Sequence, residues 1–174
     1  MNPSLAAALA FIEDIHATHA ITLNANLGAV PINRLRKLFS LFCLQIDRLR
    51  FGRRAIAQMS HDRFDAIAFP EHLAANAHLH VAANLSPQWW RIDMQTLERE
   101  LQNIWHDITK GHGSIYLKPI FSDGWGRYIA KELNFLTDRH LNEGEDYFWS
   151  RDFHSGDSVL KSSQLRKILD TLRP

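Results

Sequence analysis

Two kinds of hydrophobic spacing alternate along this chain, and their order constrains the fold more than any single residue does. Short runs with strand character occupy residues 19–24 (with Ile21, Thr22 and Leu23), 64–69, 78–85 and 114–121. Between them lie two segments whose apolar residues recur every three and four positions. The first carries Leu35, Leu38, Phe39, Phe42, Ile46 and Leu49, with Asn33 as its expected cap and Gly52 closing it. The second carries Met94, Leu97, Leu101, Ile104, Trp105 and Ile108, beginning near Asp93 and ending before Gly111. The order is βαββαβ. Split βαβ units of this kind predict an α+β fold, a ferredoxin-like or RRM-like antiparallel sheet with helices on one face. The other face is expected to stay open for a ligand.

Further elements flank this core. Asn2-Pro3 suits a helix entry, so residues 4–16 read as an N-terminal helix. Asp123 can cap a helix through Trp125, Ile129, Leu133 and Leu136, and residues 147–153 and 162–172 read as a strand and a last helix. A chain of 174 residues supports one domain with a real core. The expected organisation is a single domain over 1–174, with its core at 19–136, an N-terminal helix within 1–18 and a C-terminal extension from 137 to 174.

Composition narrows the class. Hydrophobic residues at 45% and charged residues at 22% exclude a disordered chain. The single cysteine, Cys43, excludes a disulfide framework and a cysteine-based zinc knuckle; flanked by Leu41, Phe42 and Leu44, it reads as core. No segment reaches the roughly 20 apolar residues of a membrane span. The apolar stretch 5–12 has no Lys or Arg before Arg34, so it reads as a helix and not a secretory signal, and the chain reads as cytoplasmic. Net charge is only +1, but its distribution is uneven. Arg34, Arg36, Lys37, Arg48, Arg50, Arg53 and Arg54 face a single acid, Asp47, whereas Glu132, Asp138, Glu143, Glu145 and Asp146 dominate further on. The basic stretch is either a phosphate-attracting surface or a solvated helix face.

The chemistry concentrates at His78-Leu79-His80. Side chains two apart on a strand point to one face, so both imidazoles project together. Ten histidines in this chain give roughly 0.6 chance His-x-His pairs, so the pair alone says little. Glu71 adds to it. A hairpin centred between Ala74 and Ala75 sets Glu71 directly opposite His78, with Cβ atoms about 4.5–5.5 Å apart. Two imidazoles and a carboxylate then converge, a mixed N/O set that suits Mg²⁺ or Mn²⁺ when phosphate oxygens complete the shell. His72, next to Glu71, is expected to point the other way.

Tyr128 and Lys131, three apart on the helix expected after Asp123, are neighbours on its surface. A tyrosine is a poor nucleophile until a nearby ammonium or metal stabilises its phenolate. Without the histidines, Tyr128 reads equally well as an amphipathic residue at the core's edge. Tyr116 lies on a strand with Lys118 two residues on, and is the fallback nucleophile.

The ordered set of motifs resembles the HUH endonucleases, in particular rolling-circle replication initiators with one catalytic tyrosine. Ile21-Thr22-Leu23-Asn24 is similar to the first family motif, with Asn24 standing where a second hydroxyl residue is usual. Phe69-Pro70-Glu71-His72 and Ala77-His78-Leu79-His80-Val81 match the second, and Tyr128-Ile129-Ala130-Lys131 the third. The resemblance covers about residues 19–136. It implies sequence-guided nicking and joining of single-stranded DNA or an origin hairpin, for a plasmid, prophage or other mobile element. By that resemblance Glu71, His78 and His80 hold the divalent ion, Tyr128 attacks the scissile phosphate, and Lys131 assists. The product is a 5′-phosphotyrosyl link with a free 3′-OH. With no Gly-x-x-x-x-Gly-Lys-Ser/Thr loop, unwinding is expected to need a separate host helicase. Thr22, Asn24, Lys118, Arg48, Arg50, Arg53 and Arg54 are the expected DNA-contacting residues.

Two other classes fit parts of the pattern. A non-catalytic nucleic-acid-binding module can use the same sheet. Trp89-Trp90 would stack on unpaired bases if exposed, or cap the core if buried. A two-His, one-carboxylate iron(II) enzyme fits Glu71, His78 and His80 but gives Tyr128 and Lys131 no role.

Overall fold

In this computed structural model the described residues are 12–52, 62–120 and 147–153, together with Ala6 and Ala10. The strands are β1 (His19–Asn24), β2 (Ala66–Glu71), β3 (His78–Ala83), β4 (Ser114–Pro119) and the two-residue β5 (Phe148–Trp149). The helices are α1 (Ile32–Phe51) and α2 (Met94–Ile108), with 3₁₀ turns at Pro87–Trp89 and Ser150–Phe153. The result is an α+β fold with an open five-stranded sheet of order β4-β1-β3-β2-β5, in which every adjacent pair is antiparallel. β3 returns between β1 and β2, as a split βαβ unit requires.

Alternation explains the strands. In β1, Ile21 and Leu23 are buried while Thr22 and Asn24 are half-buried. In β3, Leu79 and Val81 enter the core while His78 and His80 stay accessible. Both helices cover the same face. Leu35, Leu38, Phe39, Phe42 and Ile46 of α1 and Leu97, Leu101 and Trp105 of α2 pack against Ala66, Ala68, Leu79 and Val81. Phe42 meets Trp105 edge-on, with ring centroids 5.7 Å apart. Such pairs add about 0.5–1.5 kcal/mol beyond their buried area. Cys43 is fully buried, and its burial pushes the thiol well above the ordinary range.

The helix ends differ in how they are closed. Asp93 caps α2, accepting the Thr96 amide at 2.8 Å. The N-cap of α1 is Pro31 and not Asn33, with no side chain closing it; the fixed proline φ of −59° sets the entry instead. Gly113, just before β4, lies against α2: a Cβ there would stand 2.6 Å from the Trp105 ring and overlap the Thr109 hydroxyl. Only glycine lets β4 approach this closely.

A buried ion pair ties α1 to the start of β2. Arg63 Nε donates to Asp47 Oδ2 at 2.7 Å, and the Phe64 amide donates to Asp47 Oδ1 at the same distance. Both side chains are essentially inaccessible to water.

Several expectations change. β2 runs to Glu71, two residues further than predicted, through Pro70. Proline is tolerated where a strand has an open side, and β5 pairs only with Ile67 and Ala68. The strand expected over 147–153 is short and passes into a 3₁₀ turn. The sheet face away from the helices is only partly open. Ile67, Phe69 and Ala82 lie on it and are buried. Its polar end, around β1, β4 and the β2–β3 turn, stays accessible. Residues 4, 5, 7–9 and 11 of the predicted first helix, and the helices predicted over 123–136 and 162–172, lie outside the described residues. No helix among the described residues is long and apolar enough to cross a membrane.

Candidate metal centre

The register of the β2–β3 hairpin builds the site. Glu71 pairs with His78, as the hairpin spacing predicts, and His80 sits one pleat further along the same face. Glu71 Oε2 lies 3.3 Å from Nε2 of His78 and 3.3 Å from Nε2 of His80. The three side chains are 13–22% exposed, so the group is shielded but reachable from solvent. Their ligand atoms all lie within 4.8 Å of one another. Glu71, His78 and His80 are thus positioned to hold a metal ion.

Hydrogen bonds behind the imidazoles support that reading. His78 Nδ1 lies 2.9 Å from the Asn76 carbonyl, which can only accept, so Nδ1 carries the proton. Nε2 is then the nitrogen that faces Glu71. Metal-binding histidines are held in just this way, by donation of the other ring N–H to a carbonyl or carboxylate. His80 Nδ1 is 3.4 Å from the Thr22 hydroxyl on β1. The two rings meet edge-on at 4.9 Å, which aims their nitrogens at a shared point.

The electrostatics follow from the geometry. Hydrogen bonds from His78 and then His80 hold the Glu71 carboxyl down to about 2, outweighing its partial burial. An anionic oxygen between two imidazoles calls for a cation. A divalent ion would meet three ligands already gathered.

His72 departs from expectation. Strand alternation would turn it away from Glu71, but β2 ends at Glu71 and His72 takes a left-handed φ of 51°. Its ring stacks on His78 at 5.3 Å. The sequence carries no signal for that turn beyond the small residues that follow.

Neighbouring residues extend the polar face. Thr22 and Asn24 alternate on β1 beside His80 and His78. Across β1, Ser114, Tyr116 and Lys118 of β4 pair with Asn24, Thr22 and Ala20. The indole of Trp105 donates to the Asn24 carbonyl at 2.7 Å, fixing the end of β1 from the core side. Lys118 therefore shares a face with the metal ligands. Arg48 and Arg50 do not: they belong to α1, behind the sheet, where Arg50 donates to the Asp62 carbonyl at 2.6 Å. Trp90 packs against the core, as the capping alternative has it. Arg53, Arg54, Tyr128 and Lys131 lie outside the described residues. No protein family, curated protein or solved structure matches the chain.

Proposed function

We propose that this protein is a metal-dependent nuclease that nicks and rejoins single-stranded DNA through a tyrosine, in the manner of the HUH endonucleases it resembles. The observation that supports this best is the convergence of Glu71, His78 and His80, with Thr22 behind His80. A set with one carboxylate, two imidazoles and open sides suits Mg²⁺ or Mn²⁺ with phosphate oxygens completing the shell. When bound, such an ion supplies Lewis-acid polarisation of a phosphoryl oxygen.

The chain's own residues carry the remaining roles. Thr22, Asn24 and Lys118 line the approach along the sheet. The Tyr128 oxygen bonds to phosphorus as the bond to the 3′-oxygen breaks. The phenol gives up its proton, and the departing 3′-oxygen takes one up. Lys131 favours the phenolate and the charge of the transition state. The products are a 5′-phosphotyrosyl adduct and a 3′-OH, and rejoining is the reverse.

Incubation with a labelled single-stranded DNA pool and Mn²⁺ tests the proposal on a denaturing gel. The wild type should form a protein–DNA adduct. Tyr128→Phe should abolish it with metal binding retained, and His80→Ala should lose it through the metal. An adduct that survives Tyr128→Phe overturns the nucleophile assignment. A wild type that binds DNA and never forms an adduct with any divalent ion leaves a binding module of the same fold.

A further inference from the structure

We propose that Tyr116 and Lys118 on β4 form a docking site for one unpaired base and its phosphate in the DNA strand that reaches the metal centre. The inference rests on the nucleic-acid reading above and adds to it a specific contact outside the motifs that suggested it.

Placement comes from the register. Tyr116 pairs with Thr22, and the Thr22 hydroxyl is 3.4 Å from His80 Nδ1. Tyr116 is thus two strands from His80 in one row across the sheet, a distance of about 10 Å at the usual strand spacing. Ser114 and Lys118 flank it on the same face. A strand laid over the metal ligands toward this edge of the sheet meets Tyr116 next.

The chemistry fits an unpaired nucleotide. Tyr116 is 57% exposed, the most accessible large hydrophobic residue among the described residues. Its hydroxyl has no hydrogen-bond partner among them. Lys118 Nζ lies 5.0 Å from the ring centroid, so a cation covers part of the ring and leaves the rest open. A flat aromatic with a fixed positive charge beside it matches a base and its phosphate, and every base offers a face to stack on. Rigidity adds to this. Ile115 and Leu117, on the opposite face of β4, pack against the core and hold the strand. Little motion has to be lost when a base docks.

Fluorescence anisotropy with a fluorescein-labelled oligothymidylate in metal-free buffer tests the site without catalysis. Tyr116→Ala and Tyr116→Leu should each weaken binding by roughly 5- to 150-fold, the range for one stacked base. Tyr116→Phe keeps the ring and should bind within about twofold of wild type. Lys118→Ala should reduce the salt slope by about 0.7, the value for one phosphate on a single strand. If Tyr116→Ala and Tyr116→Leu bind as tightly as a wild type that does bind, the docking site is wrong and the nuclease reading stands. A wild type with no affinity for single strands overturns that reading and the docking site with it. An unchanged salt slope in Lys118→Ala removes Lys118 from the site.

Discussion

His78 and His80 present the same nitrogen to Glu71 but are held from behind by unlike groups. The Asn76 carbonyl fixes the tautomer of His78, because it can only accept; the Thr22 hydroxyl behind His80 can donate or accept. Thr22 comes from outside the hairpin, since it belongs to β1. His78 is therefore set by local backbone, and His80 by the docking of a neighbouring strand.

Thr22→Val should consequently weaken divalent-metal binding without abolishing it. Outer-shell partners are worth about 10- to 100-fold in affinity. At 3.4 Å this contact belongs at the low end, about tenfold. Isothermal titration with Mn²⁺ checks the figure. An affinity equal to wild type would show that Thr22 does not orient His80.

Metal affinity should fall as pH drops from about 8 to 5, because a bound ion needs both Nε2 lone pairs and protons compete for them. Glu71 contributes little to this slope, since its carboxyl is held down to about 2 and stays ionised throughout. Its own effect on stability lies lower. A carboxyl with a depressed folded-state pKa stabilises the fold above its unfolded value of 4.5, and that contribution is lost as pH falls toward 2. Mn²⁺ titrations across the pH series should show proton release on binding, and Glu71→Gln should weaken binding at every pH.

Asp47→Ala should destabilise the fold by about 3–5 kcal/mol, the usual cost of leaving a buried charge without its partner. Arg63 is the stranded group, and the Phe64 amide loses its acceptor as well. Urea denaturation measures the loss. Metal affinity of the folded fraction should not change, because the pair ties α1 to the opposite end of β2 from Glu71.

Much of this was legible in the residues. The period-two and period-three-to-four segments predict the four main strands and both helices of the core, and the spacing from Glu71 to His78 predicts their pairing. What sequence reasoning missed has local physical causes. Asn33 looks like a cap, but Pro31 has already fixed the backbone where α1 begins. Pro70 looks like a strand breaker, yet β5 leaves that side of β2 open. His72 follows the alternation rule only while the strand lasts, and its left-handed φ ends the strand one residue earlier. The pairing of β5 with β2 joins residues about 80 positions apart, and no short-range pattern encodes such a contact.

The three metal ligands lie between positions 71 and 80, on two strands joined by a tight turn, while β3 itself runs through the middle of the sheet. The centre is local in the chain and central in the fold. Closing so short a loop costs little entropy, so the hairpin can gather its ligands before distant strands arrive. A divalent ion present during folding would therefore favour the hairpin early and template the β1 docking that completes His80's support. Refolding should accelerate with added Mn²⁺, making the ion a participant in assembly.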